Sequence, residues 1–378
     1  MKIHGFILYG IFPLALLLLG GYLYLNGQFG RLPSVEEHEA YSKLRYYKNG
    51  AFQSAKKVII SPDKASGGGK KHNLLRFFSR SPNAPEQELP RFSLNKKSFS
   101  EKPADFAFYW LGHSSIIFEL SGKRLIIDPV FDNAAPIPFA VPRYGAPVIE
   151  REQLPKLDYI LITHNHYDHL EKSTVTAIKE GHFIVPLGVG AVLRGWGVAP
   201  DRITELGWGD RFQTGDLTIQ ALEGVHFSSR RFSDRNKTLW VSYVLKTKDK
   251  NIFWGADGGY GEHFARHGRE HGPFDLAALE IDGWNEGWPQ SHLFPDEVAQ
   301  AAVDLKAKQL LPIHWGVFDL AMHPWHESID SVLKESEGKG YTVLTPIMGQ
   351  RVESRDVPTV RWWAKGSMMR EKINAAGK

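Results

Sequence analysis

The chain of 378 residues is 42% hydrophobic and 23% charged, a globular composition with enough length for one large core. Its formal net charge of +4 is too small to indicate a nucleic-acid-binding protein. Because the sequence contains no cysteine, disulfides and thiolate ligands are excluded, and any metal must be held by imidazole and carboxylate groups.

The N-terminal stretch GFILYGIFPLALLLLGGYLYL, residues 5–25, carries no charge. A bilayer-spanning helix needs about 20 apolar residues, so this stretch predicts an uncleaved, single-pass membrane anchor within residues 1–30. A cleaved signal peptide is the alternative, although its apolar run is usually shorter and NGQFG is a poor cleavage site. The expected location is a bacterial inner membrane with a periplasmic catalytic domain, but flanking basic residues leave the orientation open.

Residues 31–104 are predicted to form a tether and an irregular covering segment. The stretch SPDKASGGGKKHNLLRFFSRSPNAPEQELP is rich in Pro, Gly and Ser, which is typical of a solvated linker. The alternative is a basic surface that contacts anionic lipid headgroups, because the stretch combines cations with apolar side chains. The cations are Lys64, Lys70, Lys71, Arg76 and Arg80, and the apolar side chains are Leu74, Leu75, Phe77 and Phe78.

Residues 105–378 are predicted to form an α+β domain. Short apolar, β-branched runs such as SIIFEL, YILITH, LTIQAL and QLLPIHW alternate with turn signals and indicate strands. Helical patterns lie between some of these runs, and FPDEVAQAAVDLKA repeats apolar residues at i, i+3 and i+4 after a Pro-Asp start. Many strands with interspersed helices predict stacked sheets flanked by helices.

The stretch LDYILITHNHYDHLEKS concentrates histidines and an aspartate directly after a predicted strand. His164 and His166 lie two positions apart on an extended segment, so both side chains can point the same way. Asp168 and His169 follow where a helix is expected to begin. These four side chains can serve two adjacent metal ions, and neutral imidazole with carboxylate suits zinc, with manganese or iron possible.

A catalytic zinc site needs about three protein ligands per ion, more than this loop offers. His226, Asp257 and His314 each follow an apolar run, in LTIQALEGVH, NIFWGAD and QLLPIH. A lone histidine after a strand is usually a structural residue, but the neighbouring histidine loop favours a ligand role here. A sheet edge would bring these strand ends together.

Several segments resemble the metallo-β-lactamase fold superfamily, and more closely its branch of N-acylphosphatidylethanolamine-hydrolysing phospholipases D. They are YWLGHSSIIFEL, IIDPVF, LITHNHYDHL, VPLGVG, FWGADGGYGEHF, GPFDLAALEI and PIHWGVF, in the family's order. The histidine loop is typical of the whole superfamily, and the other segments together favour the phospholipase branch.

The resemblance implies a four-layer αβ/βα sandwich that holds two zinc ions at one edge of its sheets. By position, one zinc ion would be bound by His164, His166 and His226, the other by Asp168, His169 and His314, and both by a bridging Asp257. Asp128, in IIDPVF, matches an aspartate that supports the metal ligands through hydrogen bonds. His113, in LGHSS, belongs to a family motif near the site, with either a functional or a packing role.

The predicted anchor, the basic tether and the resemblance together favour a membrane-anchored, dinuclear zinc phosphodiesterase that hydrolyses a phospholipid as a phospholipase D does. A hydroxide that bridges the metal ions is expected to attack phosphorus. Asp168, Asp257 and His292 are the residues expected to act in catalysis, with Asp257 holding the metal pair and His292 near the substrate. The leaving oxygen is expected to be taken up by a metal ion or protonated by an acid that the sequence does not identify. His292, His323 and His326 are candidates for this acid, and a structural or solvent-exposed role is the alternative for each.

Two alternatives stay open at this point. The same metal centre could serve a lactonase or acyl hydrolase, as in a related branch that can use manganese. The chain could also be a membrane-tethered binding protein without catalysis, although a complete ligand set argues against it.

Trp284, Trp288 and Phe294 are predicted either to line an acyl-chain groove or to cover the core. The expected partners are a phospholipid or other phosphodiester and a membrane, without nucleic acid.

Overall fold

The computed structural model describes residues 12–61, 64, 78–353 and 359–364. Short strands and helices alternate with long loops along this part of the chain. The strands are β1 (Tyr47–Lys48), β2 (Ala51–Phe52), β3 (Phe106–Gly112), β4 (Ser115–Leu120), β5 (Lys123–Ile127), β6 (Tyr159–Leu161), β7 (His182–Pro186), β8 (Ile203–Leu206), β9 (Arg211–Thr214), β10 (Leu217–Leu222), β11 (Ser242–Lys246), β12 (Asn251–Trp254), β13 (Leu276–Glu280), β14 (Gln309–Ile313), β15 (Thr342–Val343) and β16 (Arg351–Val352). The helices are α1 (Phe12–Phe29), α2 (Val35–Tyr41), α3 (Lys172–Ala177), α4 (Val189–Gly195), α5 (His263–Glu270), α6 (Pro295–Asp304) and α7 (Glu327–Glu335).

Two seven-stranded sheets form the core, with the orders β16-β3-β4-β5-β6-β7-β8 and β15-β14-β13-β12-β11-β10-β9. In the first sheet β5 to β8 are parallel, and in the second β12 to β15 are parallel. The remaining pairs in both sheets are antiparallel. All residues of β4 and β13 are buried, as expected for strands that are covered on both faces.

The two sheets face each other across an apolar interior. The rings of Phe118 on β4 and Trp254 on β12 lie 6.1 Å apart between centroids. The hydroxyl of Tyr243 on β11 donates to the carbonyl of Ile162, just past β6, at 2.8 Å. Helix α4 packs on β7 and β8, and α6 packs on β13. Sheets inside and helices outside confirm the α+β sandwich that the sequence predicted.

The direction of the strands sets the position of the candidate site. Strands that run in parallel end at the same edge, and ligands of such sheets bind beyond the carboxyl ends. The loops after β5, β6, β10, β12 and β14 carry, in chain order, Asp128, residues 164–169, His226, Asp257 and His314. Fold topology alone therefore gathers five separated pieces of the chain.

The membrane anchor predicted within residues 1–30 is contradicted. A spanning helix needs about 20 mostly apolar residues, whereas α1, Phe12–Phe29 among the described residues, carries the polar Asn26 and Gln28 in its last turn. Residues 1–11 lie outside the part that the structure describes; within that part, no helix is both long enough and apolar enough to cross a bilayer. The inner-membrane location inferred from the anchor is corrected accordingly.

The segment between α1 and β3 has its own short elements. Helix α2 starts with a capping box, in which the Ser34 hydroxyl accepts from the backbone N–H of Glu37 and the Glu37 carboxylate accepts from that of Ser34. Lys70, Lys71, Leu74, Leu75, Arg76 and Phe77 of the predicted basic stretch lie outside the described residues. The lipid contact proposed for that stretch and the domain boundaries at residues 30 and 104 stay predictions.

Candidate metal centre

The candidate site consists of two groups of side chains. Three histidines from two loops, His164, His166 and His226, form the group called here the first half of the site. Nε2 of His164 lies 2.9 Å from Nδ1 of His166, and Nε2 of His226 lies 3.3 Å from the same Nδ1. His164 and His226 are buried, and His166 is half-buried. Three imidazole nitrogens gathered in this way match the donor set of a zinc-type site.

The second half of the site, formed by Asp168, His169 and His314, combines imidazole with carboxylate groups. Oδ2 of Asp168 lies 3.4 Å from Nε2 of His169 and 3.3 Å from Nε2 of His314. His113 donates from Nε2 to the same oxygen at 3.0 Å. The histidine of the LGHSS motif, whose role the sequence left open, thus contacts a predicted ligand directly.

Asp257 lies between the two halves. Its Oδ2 is 3.2 Å from Nε2 of His169 and 3.1 Å from Nε2 of His314 in the second half. The same oxygen is 3.9 Å from Nε2 of His164 and 4.0 Å from Nε2 of His226 in the first half. One carboxylate oxygen therefore faces both groups of nitrogens, as the bridging role predicted for Asp257 requires.

Four of the histidines donate a hydrogen bond from Nδ1 to an acceptor outside the group of proposed ligands. The acceptors are Thr163 Oγ1 for His164 at 3.0 Å, Asp128 Oδ2 for His169 at 2.8 Å, Ser291 O for His226 at 3.0 Å, and the carbonyl of Asp282 for His314. The Thr163 hydroxyl donates to Asp128 at 2.6 Å, so it accepts from His164. A neutral imidazole that donates at Nδ1 directs its Nε2 lone pair into the site, the arrangement typical of metal-binding histidines.

Several buried polar atoms of the site have no hydrogen-bond partner. Among the described residues these include Nε2 of His169, Nε2 of His314 and Oδ1 of Asp257. Leaving a buried polar atom unpaired costs about 1–3 kcal/mol. Imidazole nitrogens and carboxylate oxygens are ligands of divalent cations, so unpaired atoms of these types fit a metal-binding site.

Burial keeps the first half of the site neutral. It lowers the pKa of His164 and His226 well below the ordinary histidine value, and neighbouring histidines add to the effect. It also lowers the pKa of His166 to about 4. The neutral imidazole is the form that binds a metal ion, so these three side chains need no deprotonation at pH 7.

Carboxylates reverse this effect in the second half. Burial opposes a proton on His169 and His314, but the surrounding carboxylates, Asp257 foremost and Asp168 with it, together outweigh burial and raise the pKa of both well above the ordinary value. Burial likewise opposes the charge of Asp168 and Asp257, but the neighbouring histidines, His169 foremost and His314 with it, together outweigh burial and lower both pKa values well below the ordinary range. Ionised carboxylates thus draw protons onto these histidines, and binding of a cation releases such protons.

The backbone of the site is strained. His113, Asp128, Ala256 and His314 have φ angles of 51°, 43°, 56° and 69°, in the left-handed region. Each such non-glycine residue costs on the order of 1–3 kcal/mol and persists only where the surroundings hold it. Asp128 is held by the backbone N–H of Thr163 at 2.8 Å, in addition to its bonds with the Thr163 hydroxyl and His169.

A buried glutamate that the sequence analysis did not select contacts His292. Nδ1 of His292 lies 2.9 and 3.0 Å from the two carboxylate oxygens of Glu280, and 4.0 Å from Oδ2 of Asp257. Glu280 also accepts from the N–H groups of Gly258 and Leu293, each at 3.2 Å. Burial lowers the pKa of His292, but Glu280 outweighs it and raises that pKa above the ordinary value. A charged residue that ends an apolar strand is the signal that could have identified Glu280.

The other predicted residues lie at the margin of the site or outside it. His323 lies with Nε2 3.1 Å from Asp282 and stacks on Trp284 at 4.5 Å between centroids. His326 is exposed and pairs with Asp330 at 3.0 Å. Trp284 is half-buried, as are Trp288 and Phe294. This partial burial favours neither the predicted acyl-chain groove nor the predicted core cover.

Comparisons with known proteins agree with this geometry. The profile of a β-lactamase superfamily domain matches residues 123–315. An uncharacterized protein of Mycobacterium tuberculosis is 38% identical over 332 residues, which cover 84% of this chain and 87% of that protein. The N-acyl-phosphatidylethanolamine-hydrolyzing phospholipase D 1 of Caenorhabditis elegans is 30% identical over 333 residues, which cover 79% of this chain and 93% of that enzyme. Igni18, a metallo hydrolase of the archaeon Ignicoccus hospitalis, shares the fold at a TM-score of 0.52 and 18% identity, over 65% of this chain and 97% of that one.

Proposed function

Since this chain belongs to the metallo-β-lactamase superfamily and is a metal-dependent hydrolase, we propose that it is a dinuclear phosphodiesterase that hydrolyses a phospholipid as a phospholipase D does. The proposed ligands are His164, His166, Asp168, His169, His226, Asp257 and His314. Zinc is the proposed metal because it prefers this mixture of imidazole and carboxylate, and manganese or iron can bind the same donors.

The position of Asp257 carries this proposal. A mononuclear site needs about three protein ligands, whereas the seven proposed ligands lie in overlapping clusters, with His164, His166 and His226 in one and Asp168, His169 and His314 in another. Oδ2 of Asp257 lies within 4.0 Å of a histidine nitrogen in both groups. A shared carboxylate of this kind supports two adjacent ions better than one.

The chemistry fits a phosphodiester substrate. A pair of divalent ions supplies water of lowered pKa and positive charge for the oxygens of an in-line displacement at phosphorus. Asp168 and Asp257 would hold that charge in place; Asp257 is buried and Asp168 is half-buried. Similarity to a phospholipase D over 79% of the chain supports this substrate class.

We assign to His292 the transfer of a proton to the leaving oxygen. Its Nδ1 is engaged by both oxygens of Glu280, which leaves Nε2 as the nitrogen that can donate to a substrate. The ring lies beside the proposed metal ligands, because Nδ1 is 4.0 Å from Oδ2 of Asp257. His326 is exposed and paired with Asp330, which makes it a poor candidate for the same task.

The test is a substrate screen of zinc-loaded protein. N-acylated phosphatidylethanolamine, phosphatidylethanolamine and phosphatidylcholine are presented in mixed detergent micelles, alongside a lactone and a simple carboxylic ester. The proposal expects release of phosphatidic acid and the headgroup alcohol, with loss of activity on chelation and recovery on adding zinc. Hydrolysis of the lactone or ester without phosphodiester cleavage would identify the acyl hydrolase alternative instead.

A further inference from the structure

The loop that carries four of the proposed ligands, residues 164–169 and here called the metal loop, has little regular structure of its own. A single side chain from another loop holds both of its ends. Nη1 of Arg230 donates to the carbonyl of Asn165 at 2.9 Å and to the carbonyl of Leu170 at 2.8 Å. The two acceptors bracket the backbone from His166 to His169.

The surroundings of Arg230 fix its side chain in the position that makes these two hydrogen bonds. The residue is 5% exposed, and its guanidinium lies 4.1 Å from the ring centroid of Tyr167 and 5.1 Å from that of Trp196. The Tyr167 hydroxyl donates back to the Arg230 carbonyl at 2.8 Å. Within the described residues, no carboxylate lies within 4.0 Å of the Arg230 guanidinium, so its partners are carbonyl oxygens and aromatic faces.

Arg230 joins the two loops that supply the first half of the site. It lies four positions after His226, in a turn where Oδ1 of Asp234 accepts from the backbone N–H groups of Arg230 and Arg231. The side chain then reaches from this turn to the metal loop. Because arginine presents several donors in a rigid plane, Arg230 binds two carbonyls through Nη1 and a third through Nη2, whereas a lysine offers a single ammonium on a flexible stem.

The C-terminal turn of α1 accepts a third hydrogen bond from the same guanidinium. Nη2 of Arg230 donates to the carbonyl of Gln28 at 3.2 Å, and Nε1 of Trp196 donates to the carbonyl of Gly27 at 3.1 Å. The last carbonyls of a helix have no intrahelical partner and carry a partial negative charge, so they suit a buried cation. The segment that the sequence suggested as an anchor thus contacts the support of the metal loop.

We propose that Arg230 is a positioning residue, which holds the metal loop in the geometry that binds metal and is itself held by the C-terminal turn of α1. This inference rests on the proposed metal-dependent function. It assigns Arg230 no contact with substrate: the residue acts through the backbone of Asn165 and Leu170.

Metal affinity is the measurement that tests the inference, by chelator competition on folded protein. Arg230→Gln should weaken zinc binding by about 10-fold to 100-fold, the range seen when a group that orients metal ligands is removed. The visible absorption of the cobalt(II)-loaded protein should change as well, because it reports the ligand geometry. Arg230→Lys, which keeps the charge without the planar fork, should fall between the wild type and Arg230→Gln.

Arg231→Gln is the matched control. Arg231 also reaches α1, by donating to the carbonyl of Gly30 at 2.8 Å and stacking over Phe29, but among the described residues its side chain makes no hydrogen bond or ion pair with the metal loop. We expect it to keep wild-type metal affinity and cobalt spectrum even if α1 is loosened. Trp196→Phe removes the bond to Gly27 and reduces the aromatic surface beside Arg230, and it should weaken metal binding less than Arg230→Gln does.

Arg230→Gln with the affinity and spectrum of Arg231→Gln would overturn the inference. If Arg230→Gln does not fold, Arg230→Lys and Tyr167→Phe decide, because the latter removes only the hydroxyl that donates to the Arg230 carbonyl. Wild-type affinity and spectrum in both would again overturn it. Failure of the wild type itself to bind metal contradicts the proposed function, whereas tight binding by wild type and Arg230→Gln alike contradicts this inference alone.

Discussion

Asp257→Asn tests the central feature of the site, because one oxygen of Asp257 faces both groups of proposed ligands. That oxygen lies 3.1 Å from Nε2 of His314, 3.2 Å from that of His169 and 4.0 Å from that of His226. Asparagine keeps the shape of the side chain and one oxygen but removes the negative charge. Both proposed metal positions would then lose a shared anionic ligand.

The size of the effect follows from the role of that charge. Removing one group that stabilises transition-state charge lowers turnover about 10²–10³-fold, equivalent to about 2.7–4 kcal/mol. Metal binding also stabilises the fold, by about 4 kcal/mol when free metal is 1,000 times the Kd. A 100-fold rise in Kd would remove about 2.7 kcal/mol of that stabilisation.

The assay measures phosphodiester turnover, bound metal per chain, and urea unfolding with and without zinc. Comparing the zinc-linked change within each variant cancels any effect of the substitution on the metal-free fold. Asp216→Asn, at an exposed position between β9 and β10, makes the same charge change on the surface and should match the wild type. Wild-type turnover together with wild-type zinc stabilisation in Asp257→Asn would refute the bridging role.

Three further results are expected. Glu280 orients His292 through hydrogen bonds, so Glu280→Gln should lower turnover by less than the ~10²–10⁴-fold loss expected from His292→Ala. The metal content of Glu280→Gln should stay unchanged, and an altered metal content would contradict this role. Burial lowers the pKa of His267 to about 4, below the ~6.5 of an unfolded histidine, so the unfolded chain takes up the proton first. Stability should therefore fall as pH drops below about 6.5, by about 3 kcal/mol near pH 4, and His267→Gln should flatten this slope in urea titrations. Arg124→Ala should cost about 3–5 kcal/mol of unfolding free energy, because Glu119 is 0% exposed and pairs with Arg124 at 2.7 Å; a loss under about 1 kcal/mol would contradict this.

The candidate site was predictable because its chemistry follows a rule of topology. His226, Asp257 and His314 each follow an apolar strand, and strands of one direction end at one edge of a sheet. The histidines and aspartate of the metal loop indicate a metal site, and that site favours a ligand role for the three distant residues. Their convergence therefore needed no knowledge of side-chain packing, and the structure brings all seven predicted ligands together.

Other features could not be read in the same way, because they depend on contacts between distant segments. Glu280 looks like one more polar strand end until the structure places it against His292. Arg230 looks like part of a basic loop, but its acceptors come from 60, 65 and 202 positions away. The apolar α1 satisfied a composition rule for a membrane helix, and that rule takes no account of what the last turn of the helix contacts.

The strained residues show where local preference and function conflict. Left-handed backbone at Asp128 and His314 is unfavourable for any chain considered locally. Distant contacts offset the strain: Asp128 accepts three hydrogen bonds from Thr163 and His169, and the N–H of His314 donates to the carbonyl of His113 at 2.9 Å. Those contacts also direct His169 and His314 towards Asp257. Local strain and ligand orientation therefore have one cause, and a substitution that relaxes the backbone at Asp128 should misdirect His169 as well.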